Sequence, residues 1–216
     1  MSNKYKAAVI GCGRSGSLFD LDKKRPTMTS HCGAYTTHKE IELIGICDSD
    51  REKLQKSSDL WKVKNTYTDY QAMILDNHLD ILSICTLPDT HSEIANFAAQ
   101  NGVKAIFCEK PISTSLIEAN RMIEACKAND VLLVINHQRR WDPFFIKLKE
   151  VIEEAQYGSL QHINFVYTRG IENSGSHLFD MLRHLFGEVK EILSLNSIND
   201  FENEETITAS IEFNRG

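Results

Sequence analysis

Apolar positions along the first two thirds of the chain follow two alternating rhythms. Short, nearly unbroken apolar runs at 6–10, 41–47, 80–85, 105–108 and 131–135 have the length of strands buried on both faces. Between them, 32–38, 51–61, 70–75, 92–100 and 115–128 have the composition of helices, and Thr66 and Tyr67 read as a short edge strand. Asn101-Gly102 closes the fourth helix with a usual C-terminal signal. Strands alternating with helices predict right-handed βαβ units and a doubly wound parallel sheet, an α/β domain over 1–136.

Past Asn136 the rhythm changes. Asp142-Pro143 opens a helix to about 155, with Pro at the favoured first turn. Residues 160–168 alternate as a half-buried strand does, with Ile163, Phe165 and Tyr167 on one face. A helix over 174–186 stops at Gly187, and strands at 189–195 and 206–213 follow, joined by an acidic turn at 199–205. Strands and helices that segregate predict a smaller α+β domain over 137–216. Trp141, Phe144 and Phe145 read as part of its core.

Composition narrows the function classes. The chain has 216 residues, 42% of them apolar and 25% charged, the profile of a globular protein. Its net charge of −6 and lack of a basic stripe argue against a nucleic-acid partner. No run approaches the ~20 apolar residues of a membrane helix, and the start has no signal-peptide core, so a cytoplasmic protein is expected. The six cysteines are scattered without a Cys-x-x-Cys pair, which indicates reduced packing residues and no metal site.

The chemistry starts at Gly11-Cys12-Gly13-Arg14-Ser15-Gly16, a G-x-G-x-x-G run directly after the first strand. In that setting the first glycine makes a tight turn, the second lets a pyrophosphate approach the backbone, and the third permits close helix packing, the dinucleotide-binding Rossmann arrangement. Ser17-Leu18-Phe19 starts a short first helix, and the polar stretch 21–31, which carries Pro26 and His31, is read as an insertion after it. Asp48 ends the second strand, where an acid accepts from a ribose hydroxyl. It lies farther on than the ~20 residues the fingerprint expects, and the insertion accounts for the excess. An acid there repels a 2′-phosphate, so NAD is expected over NADP, although Arg51 stands nearby. Asp48 is also a candidate cap for the helix that follows.

At the end of the fifth strand stands Glu109-Lys110-Pro111. Ligands of open α/β sheets bind at the carboxyl ends of the strands, so a charged pair there points to a ligand as well as to a solvated turn. Arg139 and Arg140 follow the sixth strand; either, Arg139 first, is a candidate for gripping an anionic substrate, and a salt bridge within the linker is the equal alternative.

Taken in order, the glycine motif, Thr86-Leu87-Pro88 with His91, Glu109-Lys110-Pro111 and Gly175-Ser176-His177-Leu178-Phe179-Asp180 resemble the Gfo/Idh/MocA oxidoreductases, which join a Rossmann domain to a C-terminal α/β substrate domain. The resemblance covers essentially the whole chain. It implies that Lys110 lies by the nicotinamide and the substrate hydroxyl, Glu109 by the nicotinamide ribose, and Thr86, Leu87, Pro88 and His91 along the dinucleotide. It also implies His177 as the acid/base histidine and Asp180 as a substrate-contacting carboxylate. Removing hydride from a carbinol carbon requires its hydroxyl proton to leave, and a lysine kept from water beside a cationic cofactor suits that task.

Two departures from the family pattern stand out. Members often carry Asp four residues before the histidine, whereas Asn173 stands here and cannot stabilise an imidazolium by charge. Members also commonly run much longer, so the second domain reads as truncated. Its sheet is then expected to be covered in a homo-oligomer. The leading expectation is an NAD-dependent oxidoreductase of a small-molecule sugar, polyol or nucleotide sugar. The alternatives are a dinucleotide-binding sensor or scaffold without turnover, and a reductase of an imine or pyrrole.

Overall fold

The apolar runs of the N-terminal part are strands of one parallel sheet. The computed structural model describes residues 4–25, 27–201 and 204–214, and the chain divides into two compact units, Met1–Asn136 and His137–Gly216. In the first unit, β1 (Tyr5–Ile10), β2 (Ile41–Cys47), β3 (Thr66–Tyr67), β4 (Ile81–Ile84), β5 (Ala105–Cys108) and β6 (Leu132–Ile135) lie in the order β3-β2-β1-β4-β5-β6. Every pairing is parallel. The chain starts in the middle of the sheet and winds outward in both directions, so the direction of winding reverses between β1 and β4, the switch point where ligands of this fold bind.

Five helices cover the sheet: α1 (His31–Thr37), α2 (Arg51–Trp61), α3 (Tyr70–Asp76), α4 (His91–Gln100) and α5 (Leu116–Ala128). Successive residues of β1 show why positions 7–10 are apolar throughout. Ala8 and Ile10 join a core with Met73, Ile94 and Met122 from α3, α4 and α5, whereas Ala7 and Val9 join one with Cys32, Tyr35 and Leu54 from α1 and α2. Each side chain of Ile or Leu size buried there contributes about 1.5–3 kcal/mol. All six cysteines are free and buried, as expected of packing residues.

The segment after the glycine motif differs from the expected short helix. Only a 3-10 turn, Leu18–Leu21, forms there. The regular helix starts at His31, and its first amides donate back across the insertion, His31 N to Ser15 O at 3.0 Å and Cys32 N to Gly16 O at 2.9 Å. The insertion is therefore spliced into the first crossover helix, whose turn around Gly13 and continuation in α1 it separates. Asp20 closes the splice, accepting from the backbone N–H of Thr29 at 2.7 Å and of Ser30 at 3.1 Å and from the Ser30 hydroxyl.

The second unit holds α6 (Pro143–Glu153), a π-helical turn Gly170–Gly175, α7 (Ser176–Phe186) and an antiparallel pair, β7 (Val189–Phe201) and β8 (Glu204–Phe213). Its core is Met181, Leu182, Leu185 and Phe186 with Phe145, Leu148 and Ile152 packed against them. Three expectations are corrected here. Residues 160–168 form no strand, because no backbone ladder among the described residues takes them up; instead the Tyr167 hydroxyl donates to Ile207 O at 3.2 Å and accepts from Ile207 N at 2.7 Å. The strands run on into the expected acidic turn, whose residues 202 and 203 lie outside the described residues. Trp141 and Phe144 are exposed, and of that trio only Phe145 packs on the core. Among the described residues no helix is long and apolar enough to cross a membrane.

Candidate active site

The three motif glycines answer to different demands. Gly11 has φ +93°, and a Cβ there would lie 2.5 Å from Cys85 O; at Gly16 it would lie 1.8 Å from Gly11 O. Those two positions are dictated by the meeting of β1, β4 and the crossover turn. Around Gly13 a Cβ would meet nothing within 4 Å. Neither its backbone nor its packing calls for glycine, and open space lies beside it. Arg14 leans its guanidinium over the Phe19 ring at 5.0 Å, with Arg25 of the insertion at 4.2 Å from the same ring. The Ser15 carbonyl is taken by the first amide of α1.

Asp48 follows β2 and serves the glycine turn directly. Its Oδ2 accepts from Cys12 N at 2.7 Å and its Oδ1 from Asp50 N at 2.8 Å. The helix-capping role belongs to its neighbour Asp50, which accepts from Glu52 N and Lys53 N. Each Asp48 oxygen has one backbone donor and keeps acceptor capacity, so a ribose hydroxyl is compatible with this arrangement.

After β4 the chain turns through Thr86, Leu87 and a 3-10 turn, Pro88–Thr90. The Thr90 hydroxyl donates to Leu87 O at 2.8 Å and stands 2.7 Å from the Thr86 hydroxyl, which closes the turn and leaves the Leu87 side chain exposed. His91 was expected along the dinucleotide. The structure corrects this: the ring is 0% exposed, with Nδ1 3.0 Å from Pro111 O and Nε2 3.2 Å from Thr86 O. Its nitrogens face carbonyls of two different turns, of which a neutral ring can donate to one, and the buried ring packs between the end of β4 and the end of β5.

Glu109 and Lys110 follow β5, and the Lys110–Pro111 peptide is cis. Glu109 Oε1 accepts from His31 Nε2 at 3.1 Å and from Asn136 Nδ2 at 2.8 Å. Burial alone would push this carboxyl up, but the hydrogen bonds from His31 and Asn136 and the Lys110 backbone N–H outweigh it, so Glu109 sits below the usual carboxylate value. His31 Nδ1 is in turn 2.8 Å from Ser83 Oγ, which is 2.6 Å from the Tyr35 hydroxyl. Sequence reasoning placed His31 in the polar insertion, read either as a surface loop or as a cap over the cofactor, and did not single out Ser83 or Asn136. A serine at the centre of the otherwise apolar run 81–84 was the signal available.

In the second unit, Asn173 lies in the π-helical turn and His177 in the first turn of α7, both half-buried. Such π turns recur at functional sites. Asp180, expected to contact substrate, is held inside the unit: Arg140 Nε lies 3.0 and 2.9 Å from its two oxygens and Arg140 Nη2 2.6 Å from Oδ1, with His137 Nδ1 3.6 Å away. The arginine engaged is thus Arg140, while Arg139 is exposed. Among the described residues no group of His, Cys, Asp or Glu has the arrangement to hold a metal ion.

The chain is 31% identical over 209 residues to myo-inositol 2-dehydrogenase of Thermotoga maritima, covering 89% of this chain and 58% of that one. It is 27% identical over 211 residues to D-apiose dehydrogenase of Paraburkholderia graminis, covering 90% and 53%. It thus spans little more than half the length of these relatives. The fold matches that of the WlbA dehydrogenase from Bordetella pertussis, solved with NADH and UDP-GlcNAcA, with a TM-score of 0.82 at 22% identity, covering 99% of this chain and 68% of that one. Residues 5–137 match the oxidoreductase family with the NAD-binding Rossmann fold. With that match across more than half its length, the chain belongs to the Gfo/Idh/MocA oxidoreductases.

Proposed function

We propose that this chain belongs to an NAD-dependent oxidoreductase that moves a hydride between nicotinamide and a hydroxyl or carbonyl carbon of a sugar, polyol or nucleotide sugar. The observation that carries the reading is the open space at Gly13, a glycine that the protein's own packing does not require, at the point where the sheet reverses. Glu109 and Lys110 follow β5, the strand beside β4.

Each residue has a part in this reading. Gly13 and the amides of its turn receive the pyrophosphate, with Arg14 and Ser15 in the same turn. Asp48 accepts from the adenosine ribose and repels a 2′-phosphate, which favours NAD over NADP. Thr86, Leu87 and Pro88 line the dinucleotide, with Leu87 the apolar contact. Glu109 accepts from the nicotinamide ribose. The bound nicotinamide supplies the hydride acceptor or donor. Lys110 then takes the proton of the substrate hydroxyl in oxidation and returns it in reduction, with His177 as the second proton-handling group. Asn173 orients that imidazole through neutral hydrogen bonding only. Arg139, with its exposed guanidinium, grips an anionic part of the substrate; Asp180, paired with Arg140, acts by holding that arginine.

We also read the second unit as the substrate and self-association domain, separated from the dinucleotide domain at residue 136. Ile192 and Leu193, neighbours whose side chains leave β7 on opposite faces, are 58% and 60% exposed, and a second copy covering them completes the sheet.

Thermal shift with NAD and NADP, followed by absorbance at the reduced-nicotinamide band against a panel of polyols, sugars and nucleotide sugars, tests the reading. NAD binding with turnover by the wild type, lost in Lys110→Ala, is the expected result. Binding of neither dinucleotide would overturn it, and binding without turnover across the panel would leave a dinucleotide sensor.

A further inference from the structure

We propose that His31, supplied by the segment that rejoins the fold after the insertion, is a positioning residue that holds the Glu109 carboxylate in place at the end of β5. The role of Glu109 rests on the function proposed above; its placement by His31 does not. His31 is the first residue of α1, 6% exposed, with its ring tilted against Phe107 of β5 at a centroid distance of 4.9 Å. Its place is set from behind. Ser30 caps α1 by accepting from Gly33 N at 3.0 Å, and Asp20 holds Ser30 and Thr29.

The protons in this chain of groups can be assigned. An ionised Glu109 has only lone pairs to offer, so His31 must present Nε2–H to it. Asn136 Nδ2 donates to the same oxygen, and two donors on Oε1 fix the plane of the carboxylate. With Nε2 protonated, a neutral His31 accepts at Nδ1 from the Ser83 hydroxyl, which accepts from the Tyr35 hydroxyl. Every polar group from Tyr35 to Glu109 is then satisfied, as a buried network requires. Three further titratable groups stand near the carboxylate: Lys110 beside it in the chain, and the thiols of Cys85 and Cys108, which burial keeps protonated. Neither thiol opposes the ionised Glu109 with a charge. Removing the His31 donor leaves burial opposed by Asn136 and the Lys110 amide alone, so the Glu109 carboxyl should rise.

Three measurements test this on the whole chain. In the wild type, nitrogen NMR of His31 should show a proton on Nε2, and a neutral ring with Nε2 bare would overturn the proposal without any variant. In His31→Leu, the Glu109 carboxyl midpoint followed by carbon NMR should rise by about one pH unit, a tenfold change in proton affinity. His31→Gln, whose amide can reach the same oxygen, should restore most of that difference. Superposable Glu109 titrations in wild type and His31→Leu would overturn the proposal. For the consequence at the cofactor, the Kd for NAD should weaken about tenfold in His31→Leu, most at acid pH, and recover in His31→Gln; a purely structural role would lower Tm and leave the pH profile unmoved. A shifted Glu109 titration in a chain that binds neither NAD nor NADP would retain the placement by His31 and reject the cofactor reading. NAD binding with an unmoved Glu109 titration would reject the placement alone.

Discussion

Gly13 and Gly16 are three residues apart and make opposite predictions. Gly16→Ala drives a methyl into the Gly11 carbonyl, so the first unit should lose about 3 kcal/mol or more in urea unfolding. Gly13→Ala meets open space, so stability should change little while the Kd for NAD rises about tenfold, read by calorimetry. A Gly13→Ala protein that binds NAD normally would remove the main support for the cofactor reading. Glu109 gives the second prediction at this scale. Its folded value is depressed, so its contribution to stability is present above the usual carboxylate range and is lost as pH falls through the lower folded value. Wild type minus Glu109→Gln stability, followed by chemical denaturation, should therefore shrink on acidification below that range and stay level between pH 6 and 8, on the order of the linkage expected for one carboxylate. The glycine spacing was legible in the sequence because it is a local demand on backbone; the network around Glu109 was not, because His31, Ser83 and Asn136 come from three distant parts of the chain and meet only once the sheet is ordered.

At the scale of elements, the parallel strands were readable because burial on both faces leaves an apolar run, as at positions 7–10 of β1 and in β5. Residues 160–168 show where that logic ends. Alternation reports which side chains are inward, and Ile163 does pack on the core, but it does not report whether a backbone partner exists. Tyr167 takes the place of a partner, bonding both the N–H and the C=O of Ile207. Tyr167→Phe leaves those two groups of β8 unpaired and should cost the second unit about 1–3 kcal/mol. The check is amide exchange: faster exchange at Ile207 in the variant is expected, and unchanged protection would show that the hydroxyl contributes nothing. The insertion hid the start of α1 for a similar reason. A helix whose first turn and remaining turns are separated by a polar loop has no continuous period, and the hydrogen bonds from His31 and Cys32 back to Ser15 and Gly16 rejoin it only in three dimensions.

For the whole molecule, the two units have separate cores: two clusters within 1–136 and one within 137–216. The exposed Ile192 and Leu193 make self-association the test at this scale. Ile192→Lys with Leu193→Lys should shift light-scattering mass to that of one chain without loss of NAD binding, whereas an unchanged mass would remove β7 from the interface. The same division bears on the cysteines. All six lie between Cys12 and Cys126, each buried in the first unit and each with its thiol pushed up by burial, Cys12 and Cys47 to about 12. An alkylating reagent reacts with the thiolate, so it must wait for the sheet to open. The chain thus carries a built-in clock: the rate of its own thiol labelling times the opening of the dinucleotide domain alone, is silent about the second unit, and should slow in proportion to how tightly a nicotinamide dinucleotide is held.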